Sequence, residues 1–376
     1  MKAKQLAMYA LIPLIAASCI QDEALNSEAA IDACIGNDVQ LVDINADSKV
    51  INIYVHKAAD LSKQNLKFVY PQGATLKVDK RERGDTEKTY DFSTPPHSRN
   101  FTVTSEDGKW QPTYKVNVIP AELPTSYHFE KLIVSADTPY DIFYEFDRGT
   151  SQEISKVLQW SSGNPGYKLT GMPGTNTDYP TQQTVHGYKG KAVKLITCDT
   201  GSLGATVGMH IAAGSLFIGA FEPGSALRAP RKATKFGYQF YKRPLELRGY
   251  YKYKAGEVYT ENGKPKSGIK DKCDMYAVMY EAGNNSFTLD GDNVFTSDKL
   301  VMKAQIDPKD IIESEEWTAF NLPFKPVKGR DLDMKKLKEG KYKISIVLSS
   351  SADGAYFKGA VGSTLYVDEM ELICDK

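Results

Sequence analysis

Three acids sit where they could share a proton. Asp141, Glu145 and Asp147 fall in one aromatic run, at even spacings. In a strand, such spacing sets all three on the same face. Like charges held close raise one another's pKa, which suits a general acid. A glycosidase needs a second carboxyl across the sugar from the first. The run supplies no such opposing partner, so its plain alternative is a solvated outer face. Glu145, and Glu281 at the end of another apolar run, are the candidate catalytic acids.

Aromatic clusters offer a different chemistry. Sugar rings present flat C–H faces that stack on Trp and Tyr, while their hydroxyls need amide, carboxylate or cationic partners. The segment 159–167 (QWSSGNPGY) has that mixture on a Gly/Asn/Pro loop. Trp160, Asn164 and Tyr167 are its candidate ligand-binding residues, with a core-plugging role as the alternative for Trp160. In 248–254 (RGYYKYK), alternation puts Tyr251 and Tyr253 on one face and Tyr250, Lys252 and Lys254 on the other. Tyr251 and Tyr253 are taken as a binding platform, against the alternative of cross-strand packing. Tyr276 and Tyr280 pair in the same way within 275–281. A long small-residue loop, 349–363, contributes Asp353 as a further ligand-binding candidate.

Other chemistries lack their motifs. There is no G-x-S-x-G, P-loop, H-E-x-x-H or EF-hand loop, and the five His are isolated. Cys34, Cys198, Cys273 and Cys374 show no C-x-x-C and no close His, so a zinc site is not expected. Free thiols and any of three disulfide pairings stay open. Lys+Arg and Asp+Glu both number 47 in the 376 residues. That balance argues against a nucleic-acid partner, which calls for a basic surface.

The elements that must carry these residues read as β throughout. Short alternating runs such as Ile51, Ile53 and Val55, then 66–70, 74–78, 101–103 and 114–118, predict an immunoglobulin-like β-sandwich over 34–120. Glu106-Asp107-Gly108 marks a hairpin, and Trp110 beside it reads as a packing residue. Pro120 and Pro124 lack N–H donors and fix φ, so 120–124 is expected to be a stiff linker. Many further strand runs over 125–376 fit a larger β-jelly roll. The two helical patterns there are 151–158 and 334–337.

The first residues set a compartment. Lys2 and Lys4 precede an apolar run that ends in Ala16-Ala17-Ser18-Cys19. This resembles a bacterial lipoprotein signal, with 1–18 removed, Cys19 lipidated and 19–33 acting as a lipid-anchored tether. Gln21-Asp22-Glu23 resembles the export tag of Bacteroidetes surface lipoproteins. The expected location is the cell-surface side of the outer membrane.

Taken in order, the signal, the Ig-like run, 160–164 (WSSGN), 187–195 (GYKGKAVKL), 247–253 and 359–368 resemble the putative carbohydrate metabolism domain family of Bacteroidetes surface lipoproteins. The resemblance implies a jelly roll with a sugar pocket and a setting in glycan use. Some carbohydrate-binding jelly rolls also hold a structural Ca²⁺ between first and last strands. Glu130 and Asp368 are the oxygen ligands that this implies here, and no other cofactor is expected. Three functions stand as expectations. The first is a tethered glycan-binding protein serving carbohydrate acquisition. The second is a glycoside hydrolase. The third is an accessory subunit working with glycan-importer proteins of the outer membrane.

Overall fold

The computed structural model describes residues 25–375, apart from 37, 47, 58, 83–84, 87, 134–137, 147–155, 284–286 and 328. The signal segment, Cys19, Asp147 and the first part of the 151–158 pattern lie outside the described residues. The remainder of that pattern falls in Lys156–Gln159, which is a strand rather than a helix. The other helical pattern forms the short helix Met334–Lys338, capped by Asp333, which accepts from the backbone N–H groups of Lys335 and Lys336.

The fold is all-β, an Ig-like sandwich followed by a larger jelly-roll sandwich. In the first, Val39–Asn45, Val50–His56, Thr113–Ala121, Ser98–Thr104 and Thr75–Val78 form one sheet, in that order. Ala33–Gly36, Gln64–Val69 and Thr89–Tyr90 form the other. Ile51, Ile53 and Val55 are fully buried between them, as period-two alternation requires. The 106–108 turn joins the antiparallel strands Ser98–Thr104 and Thr113–Ala121. Trp110, just past that turn, is no packing residue. The residue is 64% exposed.

The expected linker is packed rather than free. Pro120 and Ala121 extend the strand Thr113–Ala121, beside Val50–His56. Leu123 enters the core of the second sandwich. Tyr54, Ile119, Ala121 and Tyr238 pack together where the two sandwiches meet. The His56 ring stacks on Tyr241 there, with centroids 3.5 Å apart.

The jelly roll has two main sheets with different coverings. One runs Thr181–Thr184, Ala192–Ile196, Thr364–Cys374, Pro244–Lys254, Ser314–Pro323, with Ser126–Tyr127 added beside Thr364–Cys374. The other runs Ser161–Ser162, Ser215–Phe217, Tyr342–Ser349, Asp274–Glu281, Leu300–Gln305, Lys325–Pro326, with Tyr238–Gln239 beside Tyr342–Ser349. Leu247, Tyr251, Leu365 and Val367 from the first sheet meet Met275, Ala277, Ile346 and Leu348 from the second in one core. Strand Pro244–Lys254 alternates buried with less buried residues, so its sheet is covered on one side only. Strands Asp274–Glu281 and Tyr342–Ser349 are buried along almost their whole length. That sheet has a second apolar layer on its outer side, where Phe217, Tyr276, Val278 and Val347 meet Phe236 of the short strand Thr234–Phe236 and Leu289 and Val294 beyond the strand Asp274–Glu281. The four cysteines after Cys19 are free thiols, Cys34 and Cys273 being buried.

Candidate functional site

Between the second sheet and its roof of loops lies a cavity of about 260 Å³. Phe217, Asp274, Tyr276 and Val347 form its sheet side. Gly166 and Tyr167 enter from the helix Asn164–Lys168, whose early Pro165 pre-sets a helical φ. Leu227 and Arg231 come from the 223–233 loop, and Ala352, Gly354 and Tyr356 from the small-residue loop. The glycine there is required: a Cβ on Gly354 would lie 2.4 Å from that of Ala213, so a larger residue would push the loop off the wall. The volume lies just under the ~300–1,000 Å³ usual for small-ligand pockets. It suits about one or two sugar rings rather than a chain.

Polar groups converge on one side. Asp274 is the acid that lines the cavity among the described residues, and it is nearly buried. Burial pushes its pKa up to about 7, with the negative charge of Asp353 adding to the effect. The Gln305 side-chain amide opposes this, donating to both carboxylate oxygens at 3.0 and 3.2 Å. Lys303 Nζ donates to Gln305 Oε1 at 2.9 Å, so a cation backs the amide. Near neutral pH the Asp274 carboxyl can therefore either donate or accept a hydrogen bond. At the lip, Arg231 lies 4.6 Å over the Tyr356 ring and pairs with Asp292 at 2.8 Å.

The candidates taken from the sequence do not gather in one place. Tyr167 lines the cavity, its Oη donating to Asp199 O at 2.9 Å. Asp353 stands at the rim, between cavity-lining Ala352 and Gly354, and accepts from Tyr259 Oη at 2.9 Å. Asn164 is fully buried and pins the loop through both Thr181 N and Thr181 O, so its amide is already committed.

Trp160, Tyr251 and Tyr253 belong to the core between the sheets, and this replaces the expected stacking platform. Trp160 packs against Tyr127 and Phe129, and Tyr251 Oη accepts from Ile312 N at 2.9 Å. The reason is alternation itself. Tyr250, Lys252 and Lys254 share a face, lysines are almost never buried unpaired, and so the other face must turn inward.

Glu145 is no solvated acid. It is nearly buried and accepts from His128 N and Phe129 N at 3.1 and 3.2 Å. Burial pushes its pKa up to about 7 against those donors. Asp141 accepts from Gln183 N at 2.7 Å, so this pair holds backbone rather than a reacting group. Glu281 pairs with Lys336 at 2.8 Å, at the opposite end of its strand from Asp274. Neither catalytic candidate lines the cavity.

Glu130 and Asp368 hold the same turn. Glu130 Oε1 accepts from Lys191 N at 3.0 Å and Asp368 Oδ2 from Lys189 N at 2.9 Å. Among the described residues no three His, Cys, Asp or Glu side chains group as metal ligands. Two acids already engaged by N–H donors do not make the about six to eight oxygens that Ca²⁺ takes.

Sequence reasoning missed Asp274, Tyr276 as a cavity residue, and an aromatic group on the bare outer face. Tyr188 stacks on Tyr250 at 3.7 Å, with Trp317 edge-on at 6.2 Å. Near-continuous apolar character in 275–280 and 342–348 was the available signal for a covered sheet, and hence for a roof that could enclose a cavity.

The family model described as putative carbohydrate metabolism domain matches residues 128–373. A crystal structure of a putative glycoside hydrolase from Bacteroides thetaiotaomicron is 44% identical, with a TM-score of 0.77, covering 95% of this chain and 99% of that one. A second putative glycoside hydrolase structure, from Bacteroides vulgatus, is also 44% identical, with a TM-score of 0.62, covering 68% and 100%. No curated protein matches.

Proposed function

We propose that this chain binds glycan in the cavity beside Asp274, as a lipoprotein tethered through Cys19 to the outer membrane and exposed at the cell surface. The chain belongs to the putative carbohydrate metabolism domain family. The observation that carries the reading is the cavity itself. Apolar and aromatic walls meet one titrating carboxyl and one guanidinium, which is what a sugar's C–H faces and hydroxyls require. The first sandwich, packed on the second through His56 and Tyr241, would hold the cavity off the membrane. Captured glycan would pass to glycan-importer proteins nearby. The test is a glycan array with the full chain, followed by calorimetry on each hit. Asp274→Asn removes a charge-assisted hydrogen bond and should weaken binding about tenfold or more. Equal affinity in wild type and variant would place the glycan elsewhere.

A glycoside hydrolase is the second reading. It is favoured by the raised pKa of Asp274, a property of general acids, and by the way its two structural relatives are described. Asp274 would act as acid, with Asp353 at the rim as the second carboxyl. Reducing-sugar release by the wild type, abolished in both Asp274→Asn and Asp353→Asn, would establish this reading. Release that survives both substitutions would remove these two from catalysis.

A further inference from the structure

The outer face of the Pro244–Lys254 sheet carries a row of side chains that the cavity does not use. Lys194 sits opposite Tyr366, and Tyr366 opposite Lys252, on three adjacent strands. Lys252 Nζ lies 5.0 Å over the Tyr366 ring and 4.9 Å over Trp317, which extends the row onto a fourth strand. Adjacent strands stand about 4.8 Å apart, so the row spans roughly 14 Å. Beside it the Tyr188 ring, 49% exposed, lies flat on Tyr250 with an interplanar angle of 9°.

Two neighbouring cations on this face have acidic partners, whereas the lysines of the row do not. Arg248 pairs with Glu371 at 2.5 Å, and Lys254 with Glu315 at 3.5 Å. Among the described residues no acid lies within ion-pair distance of Lys252 or Lys194, although both point to the outer face. A cation held between two rings has its face-on attraction satisfied but keeps its net charge. A ligand that answers both features has flat C–H faces for Tyr188, Trp317 and Tyr366 and an anionic group for Lys252 and Lys194.

We propose that this face is a second glycan site, on the opposite sheet from the cavity, and that it takes acidic polysaccharide: chains whose sugars carry carboxylate or sulfate. The rings supply affinity for sugar in general and the two lysines select the anionic chain. Being long and open, the row fits the middle of a chain, whereas the small cavity fits a short piece or an end. This site stands on its own residues and does not depend on what the cavity binds.

The experiment is native affinity electrophoresis of the full chain in gels containing polygalacturonate, dextran sulfate or neutral galactan, at low salt and at high salt. The wild type should be retarded by at least one acidic polymer far more than by galactan, and added salt should release it. Retardation by polygalacturonate alone assigns carboxylate, and by dextran sulfate alone assigns sulfate. Trp317→Ala and Tyr188→Ala should each weaken retention about tenfold, the scale of one aromatic contact. Lys252→Gln changes a partly exposed side chain outside the core and should erase the preference for acidic polymer over galactan, so the test survives if a ring variant misfolds. No retardation in either acidic gel, retention equal to that in galactan, or retention unchanged by Lys252→Gln would overturn the proposal. A change of oligomeric state in Trp317→Ala, read by size-exclusion chromatography, would overturn it too, making the face a contact between copies of the chain.

Discussion

The two sheets of the jelly roll share a core and differ on their outer sides. The Asp274–Glu281 sheet is roofed by loops, and the roof leaves a small, mostly apolar cavity with one acid of raised pKa. The Pro244–Lys254 sheet is bare and carries rings and lysines on a flat surface. The difference comes from strand composition. A strand that is apolar at every position must be covered on both sides, and coverage by irregular loops rather than a regular layer is what leaves a hole. A strand that alternates leaves one side to water, where aromatic residues persist only beside polar neighbours. An enclosed site tunes a titrating group by burial, and an open one works through charge and stacking.

Breaking the shared core should have the largest effect. Trp160→Ala should cost about 3–5 kcal/mol in urea unfolding. Trp317→Ala on the bare face should stay within about 1 kcal/mol while losing polysaccharide retention. Similar stability losses in both would erase the distinction between core and surface rings.

The roofed side should show its own pH signature. Asp274 has a folded pKa near 7, above the ordinary carboxylate range, so the folded state holds its proton to higher pH than the unfolded one. Its stabilising share is complete below about pH 4 and is lost as pH rises through about 7. Asp274→Asn should therefore gain stability relative to wild type between those limits, seen as a widening gap in melting temperature. A gap that is constant with pH would mean the carboxyl is solvated.

The contact between the sandwiches should move the other way. Burial lowers the His56 pKa, against the charges of Glu122 and Asp38. Protonation then favours the state in which the His56–Tyr241 stack is open, so docking is complete above about pH 6.5 and weakens below it. Limited proteolysis near residues 121–125 should quicken at pH 5 relative to pH 7.5, and His56→Phe should abolish that acceleration. The smallest effect belongs to Glu371→Gln. Both partners of the Arg248–Glu371 pair are more than two-fifths exposed and screened by solvent, so its loss should leave the melting temperature nearly unchanged.

Strands, the hairpin at 106–108 and the all-β class were legible because period-two alternation is local. Which face of a strand turns inward was harder, since tyrosine suits a core and a surface equally. Lys252 and Lys254 held the answer for Tyr250, Tyr251 and Tyr253. Tyr167 lines the cavity and Asp353 stands beside it, because small, Gly-rich loops gather at the ends of sandwiches. Asp274 was not found. Nothing in its local sequence marks it, and its raised pKa comes from burial, with the charge of Asp353 adding to it, which only the fold creates.

The central claim is that sugar occupies the cavity beside Asp274. A crystal of the full chain soaked with the best array hit tests it most directly. The account predicts a sugar ring against Tyr276 and Phe217, with a hydroxyl in hydrogen-bond reach of Asp274 and another of Arg231. A sugar bound well away from Asp274, with the cavity empty beside it, would contradict the account.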